Sequence, residues 1–182
     1  MVFNVNEFAG SLKGGGARAA LFQVQITNPI NGVSDAQVPF MCRAASIPAS
    51  TIAPLPVTYF GRQIQLAGNR SFEPWTVTII NDEDFSIRNS MEQWSNAINS
   101  MQGNLNNAGG TAPNLYKSNA QVTQFSKTGE ELRTYNFVGI FPTSVSTIEL
   151  GWDQDAVEEF TVEFQVDYWE VSGGSTGNAG GI

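Results

Sequence analysis

The sequence predicts a mostly antiparallel β protein with a single helix. Two observations lead to this fold class: apolar and polar residues alternate along several short segments, and only one segment repeats its apolar residues every three or four positions. Glycine, proline and Asn-Gly signals separate these segments at the points where turns are needed. A chain of 182 residues can bury the sizeable core of one domain.

The first half of the chain contains three predicted strands and a projecting arm. Residues 21–27 form the first, because Phe22, Val24 and Ile26 alternate with glutamines. Residues 37–45 form the second, and Pro39 within them indicates an edge strand or a bulge. The prolines in residues 47–56 favour an extended surface loop, after which residues 57–68 are typical of a strand or hairpin arm that projects from the body. Alternation from Trp75 onwards predicts the third strand.

The single helix is predicted over residues 82–101. Three acids in its first turn suit the positive end of the helix dipole. One apolar stripe repeats at helical spacing and indicates core packing; it consists of Ile87, Met91, Trp94, Ile98 and Met101. Strands follow at residues 120–125 and 132–141, and residues 127–129 join them as a hairpin.

The last predicted strand, residues 158–171, has an apolar face and an acidic face. Phe160, Val162, Phe164, Val166 and Tyr168 point to one side, and Glu159, Glu163 and Asp167 point to the other. No Lys or Arg lies between Glu149 and Glu170, so the repulsion among the acids of this region is locally unrelieved. A cation from elsewhere would stabilise them.

Composition excludes several classes of function. The net charge is −8 and the nine cations are scattered, which argues against tight binding to nucleic acid. The chain has no histidine, so catalytic systems and metal sites that depend on histidine are excluded. We therefore predict no catalytic residue, cofactor or metal. Its one cysteine, Cys42, fits a small buried hydrophobe, and the sequence shows neither a signal peptide nor a membrane span.

Several sequence segments, taken in their order along the chain, resemble the tail tube proteins of contractile-tailed phages. They are LFQVQI, FMCRAASIPAS, GRQIQLAGNRSFEPWTVTIINDED, YNFVGIFPTSV and IELGWDQDAVEEFTVEFQVDYWEV. The resemblance covers residues 21–170. Its most specific pieces are Gly61-Arg62, residues 67–70 with Phe72 and Trp75, and the closing residues 167–170.

The resemblance implies a fold of two packed antiparallel sheets, β-sandwich or barrel-like, with one flanking helix. It also implies a structural function without enzymatic activity: subunits join into hexameric rings whose inner sheets merge into a barrel, and the rings stack into a hollow tube. The implied partners are further copies of the chain, the tail sheath protein, baseplate or tube-initiator and tail-terminator proteins, and a tape measure protein in the lumen. DNA would pass through without tight binding, the protein would not insert stably into a membrane, and the tube would belong to a virion tail assembled in the host cytoplasm.

Three sets of surface residues are predicted from this implied function. Contacts between subunits or between rings are assigned to Ile47, Ile52, Leu55, Tyr59, Phe60 and Arg62. Polar residues that face the lumen are assigned as Gln63, Gln65, Gln121, Thr123, Thr134 and Asn136. Glu159, Glu163 and Asp167 are assigned to the outer wall, against a basic element of the sheath, with the lumen as the alternative.

The sequence leaves two other functions open. A type VI secretion tube or another contractile injection system would use the same fold. A monomeric carbohydrate-binding module would use Trp75, Trp152 and Trp169 to stack on sugars.

Residues 1–18 are predicted as a flexible arm, residues 19–171 as the tail tube domain, and residues 172–182 as a flexible Gly/Ser-rich extension.

Overall fold

The computed structural model describes residues 5–106 and 112–173. Within these ranges the chain forms nine strands: β1 Phe22–Ile26, β2 Cys42–Ala45, β3 Ser50–Tyr59, β4 Arg62–Phe72, β5 Trp75–Ile80, β6 Ser118–Phe125, β7 Glu131–Val145, β8 Glu159–Gln165 and β9 Tyr168–Ser172. Its helices are α1 Val5–Ser11, α2 Val38–Met41 and α3 Ser86–Ile98, with 3-10 turns at Lys13–Gly15, Gly32–Ser34 and Pro113–Leu115.

Two antiparallel sheets share the long strand β7. The first sheet has the order β1, β6, β7, β9, and the second has the order β7, β8, β5, β2. Within the described ranges, β3 and β4 pair only with each other, as a separate two-stranded hairpin. The predicted fold class is therefore confirmed: the protein is mainly β, with two antiparallel sheets and one main helix.

Strand β7 belongs to both sheets because it bends at Gly139. Residues 134–138 pair with β9 in the first sheet, whereas Phe141, Pro142, Ser144 and Val145 pair with β8 in the second. Gly139 has a φ of 69°, a conformation that glycine adopts without a steric penalty. The bend thus turns one continuous strand from one sheet into the other.

The core fills the space between the two sheets. Trp75 of the second sheet stacks on Phe137 of the first, with 4.6 Å between ring centroids. One cluster of buried side chains includes Val24, Val77, Phe160 and Ile140, and burial of each such side chain stabilises the fold by about 1.5–3 kcal/mol. Both sheets therefore contribute their apolar faces to the same core.

Helix α3 closes the core, but it is shorter than predicted. Ile87, Met91 and Trp94 are buried as expected, and the Trp94 indole donates a hydrogen bond to the Tyr116 carbonyl, 2.7 Å away. The helix begins at Ser86 because Phe85 lies in the left-handed region with a φ of 53°, so the acids at 82–84 precede it instead of forming its first turn. Met101 lies beyond its end and is exposed, contrary to the prediction.

Two further predictions in the first half are partly wrong. Residues 38–41 form a helical turn with proline near its start, where proline's missing N–H is not needed, so only residues 42–45 form the second strand. It is an edge strand, as Pro39 indicated. Residues 50–56, predicted as a loop, belong to β3, whose prolines are tolerated because the hairpin has two free edges.

The last predicted strand is divided into β8 and β9. Phe160, Val162, Phe164 and Val166 are buried as the alternation predicts, but Tyr168 is exposed. The reason is that the chain leaves the second sheet after β8 and pairs with β7 in the first sheet as β9. Residues 169 and 171 consequently face the core from there on.

Candidate assembly surfaces

Hairpin β3–β4 has one apolar face that no part of the described chain covers. Leu55 lies opposite Leu66 and Val57 lies opposite Ile64, with Tyr59 next on the same face. These five side chains are between 42% and 67% exposed. A contiguous apolar patch of this kind on a folded chain marks an interaction site.

The opposite face of the hairpin is polar in its outer part. Thr58 lies opposite Gln63, and Pro56 lies opposite Gln65. Phe60 and Gly61 form the connecting turn, both with positive φ, which is the signature of a type I′ hairpin turn. The hairpin therefore has two chemically different faces and a tight, defined tip.

The contact residues predicted from the sequence lie at different places around this hairpin. Leu55 and Tyr59 are on the apolar face, Arg62 lies opposite Tyr59, and Ile52 lies opposite Arg70 beyond a bulge. Phe60 is fully exposed at the tip and contacts Tyr59 edge to face, with 4.5 Å between centroids. Ile47 precedes the hairpin.

The sequence analysis missed three members of the apolar face: Val57, Ile64 and Leu66. Their signal was present, because Ile64 and Leu66 alternate with Gln63 and Gln65. Gln63 and Gln65 were assigned to the lumen, but they lie on the hairpin and not on the sheet that carries the other four lumen candidates. Those two assignments stay predictions without structural support.

The other four lumen candidates form two cross-strand pairs on the solvent-facing side of the first sheet. Gln121 lies opposite Asn136, and Thr123 lies opposite Thr134 with 3.2 Å between their hydroxyl oxygens. Neighbouring strands extend the same face with further polar residues, which the sequence analysis missed: Gln23, Gln25, Asn119, Glu170 and Ser172. Among the described residues paired in this sheet, the face carries an acid but no Lys or Arg.

The three predicted sheath-facing acids differ in their surroundings. Glu159 forms a salt bridge with Arg43, and Asp167 forms one with the Lys117 ammonium at 2.7 Å. Glu163 is exposed and forms no salt bridge within the described residues. The local repulsion inferred from the sequence is thus relieved at two of the three acids by cations that are distant in sequence.

Cys42 and the tryptophans do not form a site. Burial raises the pKa of the Cys42 thiol to about 12, so the thiol stays protonated and unreactive at neutral pH. Trp75 is completely buried, Trp152 is completely exposed, and Trp169 contacts Phe72 and Tyr135 edge to face. The three rings therefore do not line a common sugar-binding surface.

Two other kinds of site are not found in the part of the chain that the structure covers. Within residues 5–106 and 112–173, no group of three or more Cys, Asp or Glu side chains is placed to hold a metal ion. In the same ranges no helix has both the length and the apolar character to cross a bilayer.

Comparison with known proteins decides the family. The model of the family described as phage tail tube protein matches residues 11–172. The tail tube protein gp19 of Enterobacteria phage T4 is 34% identical over 156 residues, which cover 85% of this chain and 91% of gp19. The chain belongs to the phage tail tube protein family. As a tail tube protein of contractile phage tails it is structural and not an enzyme.

Solved structures show the same fold at low sequence identity. The tube protein resembles a chain of the extended sheath–tube complex of PVC, an extracellular contractile injection system, with a TM-score of 0.60, 13% identity and coverage of 94% of this chain and 99% of the other. It also resembles an Hcp protein, with a TM-score of 0.50, 17% identity and coverage of 87% and 96%. At these identities the likeness concerns the fold alone.

Proposed function

We propose that this tail tube protein forms hexameric rings that stack into the hollow inner tube of a contractile tail, through which the genome passes into the host. The observation that carries the proposal is the uncovered apolar face of hairpin β3–β4. An isolated two-stranded hairpin is marginally stable in water, so a hairpin with five exposed apolar side chains on one face requires a covering surface. A second copy of the chain provides it in a ring.

The edges of the first sheet support closure of such a ring. Within the described residues, β1 and β9 each pair on one side only, so each presents unpaired backbone groups that invite another strand. Pairing β1 of one subunit with β9 of the next would satisfy both edges. Because the ring closes, no edge of this sheet is left to aggregate.

The polar face of the first sheet suits the inner wall of the ring. Gln25, Gln121, Asn136 and Glu170 lie side by side across its four strands. A wall without cations does not hold the phosphates of DNA, because binding affinity grows with the number of phosphates that Lys and Arg neutralise. DNA can then move along the bore without stalling.

Placing the first sheet inside puts the second sheet outside, since the two pack against each other through their apolar faces. Glu163 lies opposite Thr76 on the outward face of the second sheet, and Thr161 lies opposite Thr78. We infer that Glu163, with Glu159 and Asp167 nearby in the chain, meets a basic element of the sheath. Baseplate or initiator proteins, a terminator and a tape measure protein complete the proposed partners, and assembly occurs in the host cytoplasm.

The competing functions have less support. A type VI secretion tube shares the fold, but the relative at 34% identity is a phage tail tube protein. A carbohydrate-binding module needs accessible tryptophans in one row, and Trp75 is buried beneath Phe137.

Sizing chromatography and electron microscopy of the purified chain test the proposal. We expect hexameric rings or hollow rods, at high concentration or after addition of a tube initiator. A chain that stays a monomer under both conditions would contradict the proposed function.

A lysine on the proposed inner wall is expected to slow the passage of DNA. Gln121→Lys places one cation per subunit on the exposed polar face, so each hexameric ring would gain positive charges around its bore that attract phosphate. Virions with this tube should release their genome more slowly, and added salt should reduce the difference. Gln121→Glu is the matched control and should release DNA at the normal rate. Equal rates for both variants at low salt would exclude Gln121 from the bore.

A further inference from the structure

The two ends of strand β7 carry surfaces of opposite charge. At its beginning, residues 13–18 pack against the turn between β6 and β7. Lys13 and Arg18 line a cavity of about 90 Å³ there together with Lys127. None of these three cations forms a salt bridge in the described residues, although Glu130 lies in the same turn and Glu131 is the first residue of β7.

The N-terminal segment also exposes apolar side chains. Val5, Phe8 and Leu12 are 79%, 65% and 42% exposed, and their spacing of three and four residues places them along one side of α1 and its continuation. No residue of α1 is buried. Residues 5–18, termed the N-terminal segment here, thus combine exposed apolar side chains on α1 and Leu12 with one acid, Glu7, and two cations, Lys13 and Arg18.

The other end of β7 leads into a loop with the complementary character. This loop, residues 146–158, surrounds a cavity of about 460 Å³ together with Glu159 and Thr161. It contains four acids and no Lys or Arg; the acids are Glu149, Asp153, Asp155 and Glu158. Leu150, Trp152 and Val157 are among its most exposed side chains, and all three are at least 70% exposed.

We propose that loop 146–158 of one subunit receives the N-terminal segment of a subunit in the next ring. The proposal rests on the proposed function, because it assigns the contact between stacked rings. Both surfaces expose apolar side chains. Three cations line the cavity at the N-terminal segment, whereas loop 146–158 carries four acids, so the two surfaces are complementary in charge. The two cavities share no residue, and the surfaces flank opposite ends of one strand.

This arrangement gives a heterologous contact, in which a surface of one copy meets a different surface of the next. Unlike the β1–β9 contact, which closes around the ring, a heterologous contact between stacked rings advances along the axis and therefore propagates as a filament. Individual exposed ion pairs contribute little because solvent screens them, so the effect depends on repetition around each ring and on burial of Trp152, Phe8 and Leu12. The basic end would always meet the acidic end, which gives the tube a direction.

Charge reversal tests the pairing. The variant Lys13→Glu with Arg18→Glu and the variant Glu149→Lys with Asp153→Lys should each elongate rods at least about tenfold more slowly than the unaltered chain, measured by light scattering and by rod length in electron micrographs. Combining all four substitutions should restore most of the elongation rate. The control Glu73→Lys with Glu83→Lys changes two exposed acids outside the loop and alters the net charge by the same amount as the loop variant, so it should elongate normally.

Disulfide cross-linking tests proximity directly. In a Cys42→Ser background, cysteines introduced by Arg18→Cys and Asp153→Cys should join subunits into a ladder of cross-linked species in rods, whereas the separate single-cysteine variants should not. Rods that grow normally after charge reversal and form no ladder would overturn this contact and leave the proposed function intact. If the unaltered chain forms neither rings nor rods, both proposals fail.

Discussion

Replacing Leu55 and Leu66 with threonine is expected to leave the monomer folded and to prevent ring and tube assembly. The two residues are cross-strand partners at the centre of the apolar hairpin face. Both are about half exposed, so the monomer loses little packing when they are truncated. Threonine retains strand propensity, which keeps the hairpin itself intact.

The size of the effect follows from burial at the proposed interface. Full burial of a leucine side chain contributes about 1.5–3 kcal/mol. Because each leucine is about half exposed in the monomer and threonine recovers part of the contribution, two substitutions should weaken each hairpin contact by roughly 1–2 kcal/mol. This corresponds to roughly a 5- to 30-fold loss in the association constant of each contact, at about tenfold per 1.4 kcal/mol. Sedimentation velocity measures the distribution of rings and monomers, and circular dichroism confirms the fold.

The matched control lies on the other face of the same hairpin. Gln63→Thr with Gln65→Thr introduces the same residue type twice on strand β4 of this hairpin but leaves the apolar face unchanged. We expect this variant to assemble nearly as well as the unaltered chain. If both double variants assemble equally, the apolar face is not the subunit contact.

The sequence predicted those parts of the fold that depend on local periodicity. Alternation identified β1, β5, β6 and most of β7, and helical spacing identified the buried stripe of α3, because side-chain direction repeats with a fixed period in each element. The two polar pairs of the first sheet were also found, since Gln121, Thr123, Thr134 and Asn136 alternate with core residues. These features are encoded within segments of a few residues.

Features that depend on distant contacts could not be predicted. The alternation from Phe160 onwards continues past Val166 without a sequence signal for the change of sheet, because the change is set by which part of β7 the chain meets. The salt bridges of Glu159 and Asp167 join residues 116 and 50 positions apart. The alternation of Ile64 and Leu66 was visible in the sequence. It did not show that the other described parts of the chain leave this face uncovered. The division into arm, domain and extension stays a prediction, and residues 1–4 and 174–182 lie outside the described residues.

Gly139→Ala is expected to destabilise the subunit because it blocks the bend that joins the two sheets. A Cβ atom at this position would lie 2.1 Å from Asp167 Oδ2, 2.6 Å from Cγ and 3.0 Å from Cβ. The carboxylate has little room to move, since Lys117 holds both of its oxygens at 2.7 Å and the Asp167 N–H donates to the Val138 carbonyl. The positive φ adds about 1–2 kcal/mol, and overpacking adds about 1–3 kcal/mol.

Urea unfolding of the monomer should therefore show that Gly139→Ala lowers the free energy of unfolding by roughly 2–5 kcal/mol, with an unchanged m-value. The substitution Gly129→Ala separates the effect of the positive φ from that of the contact with Asp167. Gly129 also has a positive φ, 84°, but no atom lies within 4 Å of the added Cβ. Gly129→Ala should therefore lower the free energy of unfolding only by the cost of the positive φ. Adding Asp167→Ala to Gly139→Ala should cost less than the sum of the single substitutions, because the carboxylate that causes the clash is gone. Equal costs for the two glycine substitutions would show that the contact with Asp167 yields freely, and that the bend between the sheets depends on glycine's backbone alone.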